Sequence, residues 1–148
     1  MAKALIIYGS TTGNTESTAD TIAKVISDRD IATTVKDVGS AVPGDFDNTY
    51  DIFLFGCSTW GDEEIELQED FAEFYETMDR LDLRGKKIAV FGCGDSSYTH
   101  FCGAVDTLEE KTKDLGGELV VSGLKIDGDP YDVEEEIVSW AGSVAAAV

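Results

Sequence analysis

Three short stretches of this chain are apolar at nearly every position: Ala4-Leu5-Ile6-Ile7-Tyr8, Ile52-Phe53-Leu54-Phe55 and Ile88-Ala89-Val90-Phe91. A strand with one wet face alternates apolar and polar residues, whereas a strand without alternation must be covered on both faces. Between and after these runs the apolar period changes to that of a helix. Ala19, Ile22, Ala23 and Ile26 form one such stripe, and Phe71, Phe74, Tyr75 and Met78 a second. Val105, Leu108, Thr112 and Leu115 form a third, and Val133, Ile137, Trp140, Ala141 and Val144 a fourth. Residues 31–38 read as a weaker edge strand with Ile31, Thr33 and Val35 on one side, and 118–126 as a strand interrupted at Ser122-Gly123. Residues 39–50, with Gly39, Pro43, Gly44 and Asn48, read as loop.

Doubly covered strands alternating with helices predict βαβ units and a parallel sheet. The expected fold is therefore α/β: a three-layer, doubly wound, five-stranded parallel sheet with right-handed crossovers, filling residues 1–148 as one domain. No repeat or linker interrupts it. In such folds ligands bind beyond the carboxyl ends of the strands, at the switch point in strand order. The loops over residues 9–15, 57–66 and 92–102 are then the ones expected to carry function.

Composition excludes several classes. A chain of 148 residues can bury a sufficient core without disulfides or a structural metal. Its three cysteines, Cys57, Cys93 and Cys102, are odd in number and form no Cys-x-x-Cys. They are read as reduced structural thiols, and with a lone His100 they match no familiar zinc spacing. No apolar run approaches the ~18 residues of a membrane span, and no secretory signal is visible, so a cytoplasmic address is expected. A net charge of −19 repels nucleic acid and anionic membranes, and it suits a partner with a basic docking face.

The first loop reads Gly9-Ser10-Thr11-Thr12-Gly13-Asn14-Thr15. It joins a buried strand to a helix, where free backbone N–H groups and the helix dipole favour an anion. No Lys or Arg lies between Lys3 and Lys24, and neither the Walker lysine nor the GxGxxG spacing is present. What remains is a pocket for one phosphate monoester held by neutral donors, against the alternative of a Ser/Thr-rich cap with no ligand. The second loop, Cys57-Ser58-Thr59-Trp60-Gly61-Asp62, sets a tryptophan beside a glycine just after a buried strand. Trp60 either offers a flat face to a planar ligand or covers one end of the core. The third loop, Gly92-Cys93-Gly94-Asp95-Ser96-Ser97-Tyr98-Thr99-His100-Phe101-Cys102, offers Tyr98 as a second aromatic face. Together the loops describe one phosphate, one planar ring between two aromatics, and backbone contacts to the ring edge, as a phosphorylated flavin requires.

The spacing Ser10-x-Thr12-Gly13-x-Thr15 resembles the phosphate loop of flavodoxins, the family that serves as a standard example of FMN at such a switch point. The second and third loops resemble the flavin loops of the short-chain flavodoxins of sulfate-reducing bacteria. The resemblance spans the whole chain. It implies strand order 2-1-3-4-5 and one non-covalent FMN, with Ser10, Thr11, Thr12, Gly13, Asn14 and Thr15 as the phosphate cradle. It implies Trp60 on the inner flavin face and Tyr98 on the outer, and Ser58 and Thr59 at the ribityl chain and nearby ring edge. Gly61 would turn its carbonyl toward flavin N5, with Asp62 adjoining. Cys93, Gly94, Asp95, Phe101 and Cys102 would belong to the segment around the pyrimidine end. The implied activity is low-potential one-electron transfer, cycling between semiquinone and hydroquinone, by a monomeric carrier that is not an enzyme and whose partners are redox proteins with basic faces. The carboxylates of Asp62, Glu63, Glu64, Glu66 and Asp95 would disfavour the anionic hydroquinone. An alternative, an FMN-dependent NAD(P)H:quinone reductase, needs room over the flavin that Tyr98 would fill. A signalling receiver needs an aspartate where this chain has Cys57 and an acidic pair where it has Gly9-Ser10.

Overall fold

The computed structural model describes residues 2–10, 13–46, 49–60, 66–94 and 102–148, with the backbone alone at Pro43, Trp60 and Glu66. Strand β1 (Lys3–Gly9) leads into helix α1 (Asn14–Ser27), and β2 (Ala32–Asp37) into two 3₁₀ turns and β3 (Ile52–Cys57). Two short strands follow, β4 (Thr59–Trp60) and β5 (Glu66–Leu67), then α2 (Glu69–Thr77) and β6 (Lys87–Gly94). Helix α3 (Gly103–Asp114), β7 (Glu118–Leu119), β8 (Leu124–Asp127) and α4 (Glu134–Ala147) complete the chain.

The main sheet is ordered β2-β1-β3-β6, with β7 and β8 both paired to the outer edge of β6. Every pairing in it is parallel. Counting β7 and β8 as one broken strand, this is the expected order 2-1-3-4-5. The sheet divides the core in two, as unalternating strands require. On one side Ala4, Ile6, Leu54 and Phe91 pack with Ile22 and Ile26 of α1 and Ile137, Ala141 and Val144 of α4. On the other side Leu5, Ile7, Phe55 and Val90 pack with Phe71 of α2 and Val105 and Leu108 of α3. Burying each of the larger side chains among these contributes roughly 1.5–3 kcal/mol, so the three central strands anchor the molecule and hold their carboxyl ends in place.

Three details differ from the sequence reading. The strand expected over 118–126 is two strands. Glu118 and Leu119 pair with Lys87 and Ile88, and Leu124–Asp127 pair with Phe91–Gly94. Between them the Ser122 carbonyl accepts a hydrogen bond from the Trp140 indole Nε1 at 2.8 Å, so α4 holds the chain where the ladder stops. The loop over 39–50 contains 3₁₀ turns at Val38–Ser40 and Pro43–Phe46. The second delivers Phe46 into the core, stacked on Phe53 with ring centroids 5.0 Å apart. The loop over 57–66 contains β4, which pairs antiparallel with β5.

Candidate cofactor site

The register aligns Gly9 of β1 with Cys57 of β3, and Gly56 of β3 with Phe91 of β6. The loops after β1, β3 and β6 therefore leave the sheet side by side at its carboxyl edge. Gly92, just inside that edge, has no room for a side chain, because a Cβ there would fall on the carbonyl oxygen of Cys57. Close approach of these two strand ends is what brings the second and third loops together.

The first loop enters α1 through Gly13, whose φ of 94° is left-handed and whose α-carbon faces open space. The Gly13 N–H donates to Ser10 Oγ at 3.1 Å. Among the described residues no side chain caps the first turn of α1. Helices α2 and α3, which open from the same edge, are treated differently. Gln68 Oε1 accepts from the Phe71 N–H of α2 at 3.0 Å, and Thr59 Oγ1 accepts from the Ala104 N–H of α3 at 2.9 Å. A helix start leaves N–H groups without intrahelical partners and carries partial positive charge. Helix α4 also starts without a side-chain cap, but among the described residues only α1 opens directly behind a left-handed glycine with nothing within 4 Å of its Cβ position. The site thus fits a phosphate monoester such as that of FMN, bound by neutral donors.

Thr15 and Ser58 link the first and second loops through a buried hydroxyl pair, Oγ1 to Oγ at 2.7 Å. The Ser58 N–H also reaches the Gly9 carbonyl at 3.4 Å, and the Gln68 N–H donates to the Ser58 carbonyl at 3.0 Å. Thr59, buried, ties the second loop to the start of α3. Asn14 is the first residue of α1, and its carbonyl accepts from Thr18 Oγ1 at 2.8 Å. Thr18 Oγ1 also lies 3.6 Å from Cys93 Sγ. This joins the first loop to the third. Gly94 closes β6, and its carbonyl accepts from the Gly128 N–H at 2.9 Å. Cys102 has a left-handed φ of 49°. Its thiol is turned inward, toward the carbonyls of Gly92 at 3.7 Å and Ile126 at 3.6 Å. Any face that residue 102 gives a ligand is backbone.

Ser10, Gly13, Asn14, Thr15, Ser58, Thr59, Cys93, Gly94 and Cys102 are thereby gathered at one edge. Trp60 is placed on β4 by its backbone. Thr11, Thr12, Gly61, Asp62, Asp95, Tyr98 and Phe101 lie outside the described residues. Sequence reasoning did not single out Thr18 or Gln68, both buried. Gln68 was findable: it precedes Glu69-Asp70 at a helix start, the place for a capping acceptor.

The electrostatics suit a cofactor carrier. Burial pushes the thiols of Cys57 and Cys102 up to about 12, and burial also raises Cys93 against its hydrogen bonds from Thr18 and Thr15. Thiols so placed stay protonated at neutral pH and serve as packing groups, not nucleophiles. The phenol of Tyr8 is raised by burial and then by the carboxylates of Glu16, Asp37 and Asp20. The edge that would hold the cofactor therefore sits in a negative field.

Comparison with known proteins agrees with this geometry. The family model described as flavodoxin matches residues 6–140. The chain is 53% identical to a flavodoxin of Maridesulfovibrio salexigens, covering 98% of each chain. It is 47% identical to a flavodoxin of Nitratidesulfovibrio vulgaris over the full length of both. The fold superposes on the crystal structure of oxidised flavodoxin 1 from Bacillus cereus with a TM-score of 0.90, 37% identity and 99% coverage of both chains. With the strand order, the three loops at one edge and a match over almost its whole length, the chain belongs to the flavodoxin family.

Proposed function

We propose that this protein carries electrons one at a time, at low potential, on one non-covalently bound FMN. The observation that carries the reading is the start of α1 behind Gly13, without a side-chain cap among the described residues, joined to the second loop by Thr15–Ser58 and to the third by Thr18–Cys93. FMN supplies a ring that accepts and releases single electrons; the protein binds it, covers it and sets its surroundings. The hydroxyls of Ser10, Thr11, Thr12 and Thr15, the Asn14 amide and the backbone at Gly13 hold the phosphate. Trp60 and Tyr98 cover the two ring faces and exclude water. Ser58 and Thr59 meet the ribityl side, and Gly61 offers its carbonyl to a ring N–H, with Asp62 next to it. Cys93, Gly94, Asp95, Phe101 and the backbone of Cys102 line the pyrimidine end.

No side chain is needed as an acid, base or nucleophile, so the protein is a carrier and not an enzyme. It works as a monomer in the cytoplasm. Its partners are redox proteins with basic faces, to which a net charge of −19 is complementary. Purification with the cofactor retained, followed by acid release and mass analysis, tests the reading. One FMN per chain is expected, with no NADPH oxidation by the pure protein. Recovery of FAD, or a colourless protein that ignores added FMN, would overturn it.

A further inference from the structure

Beside the cofactor edge lies a small cleft of about 130 Å³ lined by Ser17, Thr21, Pro130, Tyr131, Glu134 and Ile137. One wall is α1 just past the phosphate loop. The other is the 3₁₀ turn Pro130–Val133 and the start of α4. The turn follows Gly128, whose N–H is bonded to the Gly94 carbonyl at the end of β6. The cleft is thus bordered by α1 on one side and tied to the end of β6 on the other.

Tyr131 stands out on this rim. Its side chain is 82% exposed, against 53% and 42% for Val42 and Val138, the other exposed large hydrophobic residues among those described. Its neighbour Pro130 is buried, and the Tyr131 N–H donates to Asp129 Oδ1 at 2.9 Å, so the ring stands on an anchored turn. An ordered aromatic in water gains little for the fold. Around it the chain carries Asp129, Asp132, Glu134, Glu135 and Glu136, with no Lys or Arg from residue 126 to 148. The facing wall carries Glu16 and Asp20, both exposed, and no basic residue before Lys24.

We infer that Tyr131 is the anchor of a docking surface for a basic redox protein, receiving an Arg side chain on its ring face with the guanidinium directed to Glu134. A second copy of this chain would bring the same acidic charge to the surface and is disfavoured. A cation on an aromatic face flanked by carboxylates combines a stacking contact with charge complementarity. The rim carboxylates would govern encounter rate and its salt dependence, and the ring would govern dissociation. This rests on the carrier reading, but it assigns docking to the 3₁₀ turn Pro130–Val133 and the start of α4.

The test uses the FMN-loaded protein with oxidised cytochrome c as a basic haem-protein probe. Complex affinity is measured by calorimetry, and electron delivery by stopped flow at two salt concentrations. Tyr131→Ala is expected to weaken the complex at least fivefold, with FMN affinity and both reduction potentials unchanged. Tyr131→Phe should retain parental affinity, and Glu134→Gln with Glu135→Gln should slow association and flatten its salt dependence. Parental affinity in Tyr131→Ala, or equal loss in Tyr131→Phe, would overturn the inference. A parent that binds no FMN would instead refute the carrier reading, a result visible before any partner is added.

Discussion

At the residue scale, the site depends on where the backbone departs from ordinary geometry. Gly13 is left-handed at φ 94° with nothing within 4 Å of the position of a Cβ, so an alanine there meets no steric clash and only the backbone penalty. Gly13→Ala should lower stability by about 1–2 kcal/mol, read as a lower urea midpoint at unchanged slope. An unchanged midpoint would mean that the turn does not need its left-handed residue. The glycine, the hydroxyls and the missing lysine were all legible in the sequence, and the proposed phosphate pocket of neutral donors rests on them. Which hydroxyls serve the fold was not legible. Thr59 and Thr15 look alike in sequence. Yet one caps α3 across 45 residues of chain and the other pairs with Ser58. Local spacing carries no information on partners so distant.

Elements show the same division. The three unalternating strands and the four helical stripes were readable because burial on both faces, or along one stripe, leaves a period in the sequence. The break in the fifth strand was readable only as Ser122-Gly123. The bond found at the break, from Trp140 Nε1 to the Ser122 carbonyl, joins residues with no sequence relation. Likewise β4 and β5 are too short to show a period. Within α3, Thr112 sits on the predicted apolar stripe and is fully buried, but its Oγ1 has no hydrogen-bond partner among the described residues. A buried, unpaired hydroxyl costs about 1–3 kcal/mol, and valine has nearly the same shape. Thr112→Val should raise stability by ~1 kcal/mol, which for a chain of this size is about 2–4 °C in Tm by calorimetry. A fall in Tm would show that the hydroxyl has a partner after all.

For the whole molecule, the sheet sets three loops at one edge and the charge sets that edge in a negative field. Between Trp60 and Leu67 the sequence carries Asp62, Glu63, Glu64 and Glu66 and no base. A carboxylate ~10 Å from the flavin ring at an effective dielectric of ~40 opposes one added electron by about 0.8 kcal/mol. With ~1.4 kcal/mol equal to about 59 mV for a one-electron couple, each would lower the potential by roughly 35 mV. Salt screening reduces this to on the order of 10 mV. Converting the four to amides should raise the lower of the two potentials, and less so at high ionic strength. A couple that does not move would leave these carboxylates to docking and solubility. Whether this fold makes FMN a one-electron carrier is read from an anaerobic spectroelectrochemical titration of the purified protein. Two well-separated one-electron steps are expected, the second well below the first. A single two-electron step would contradict it.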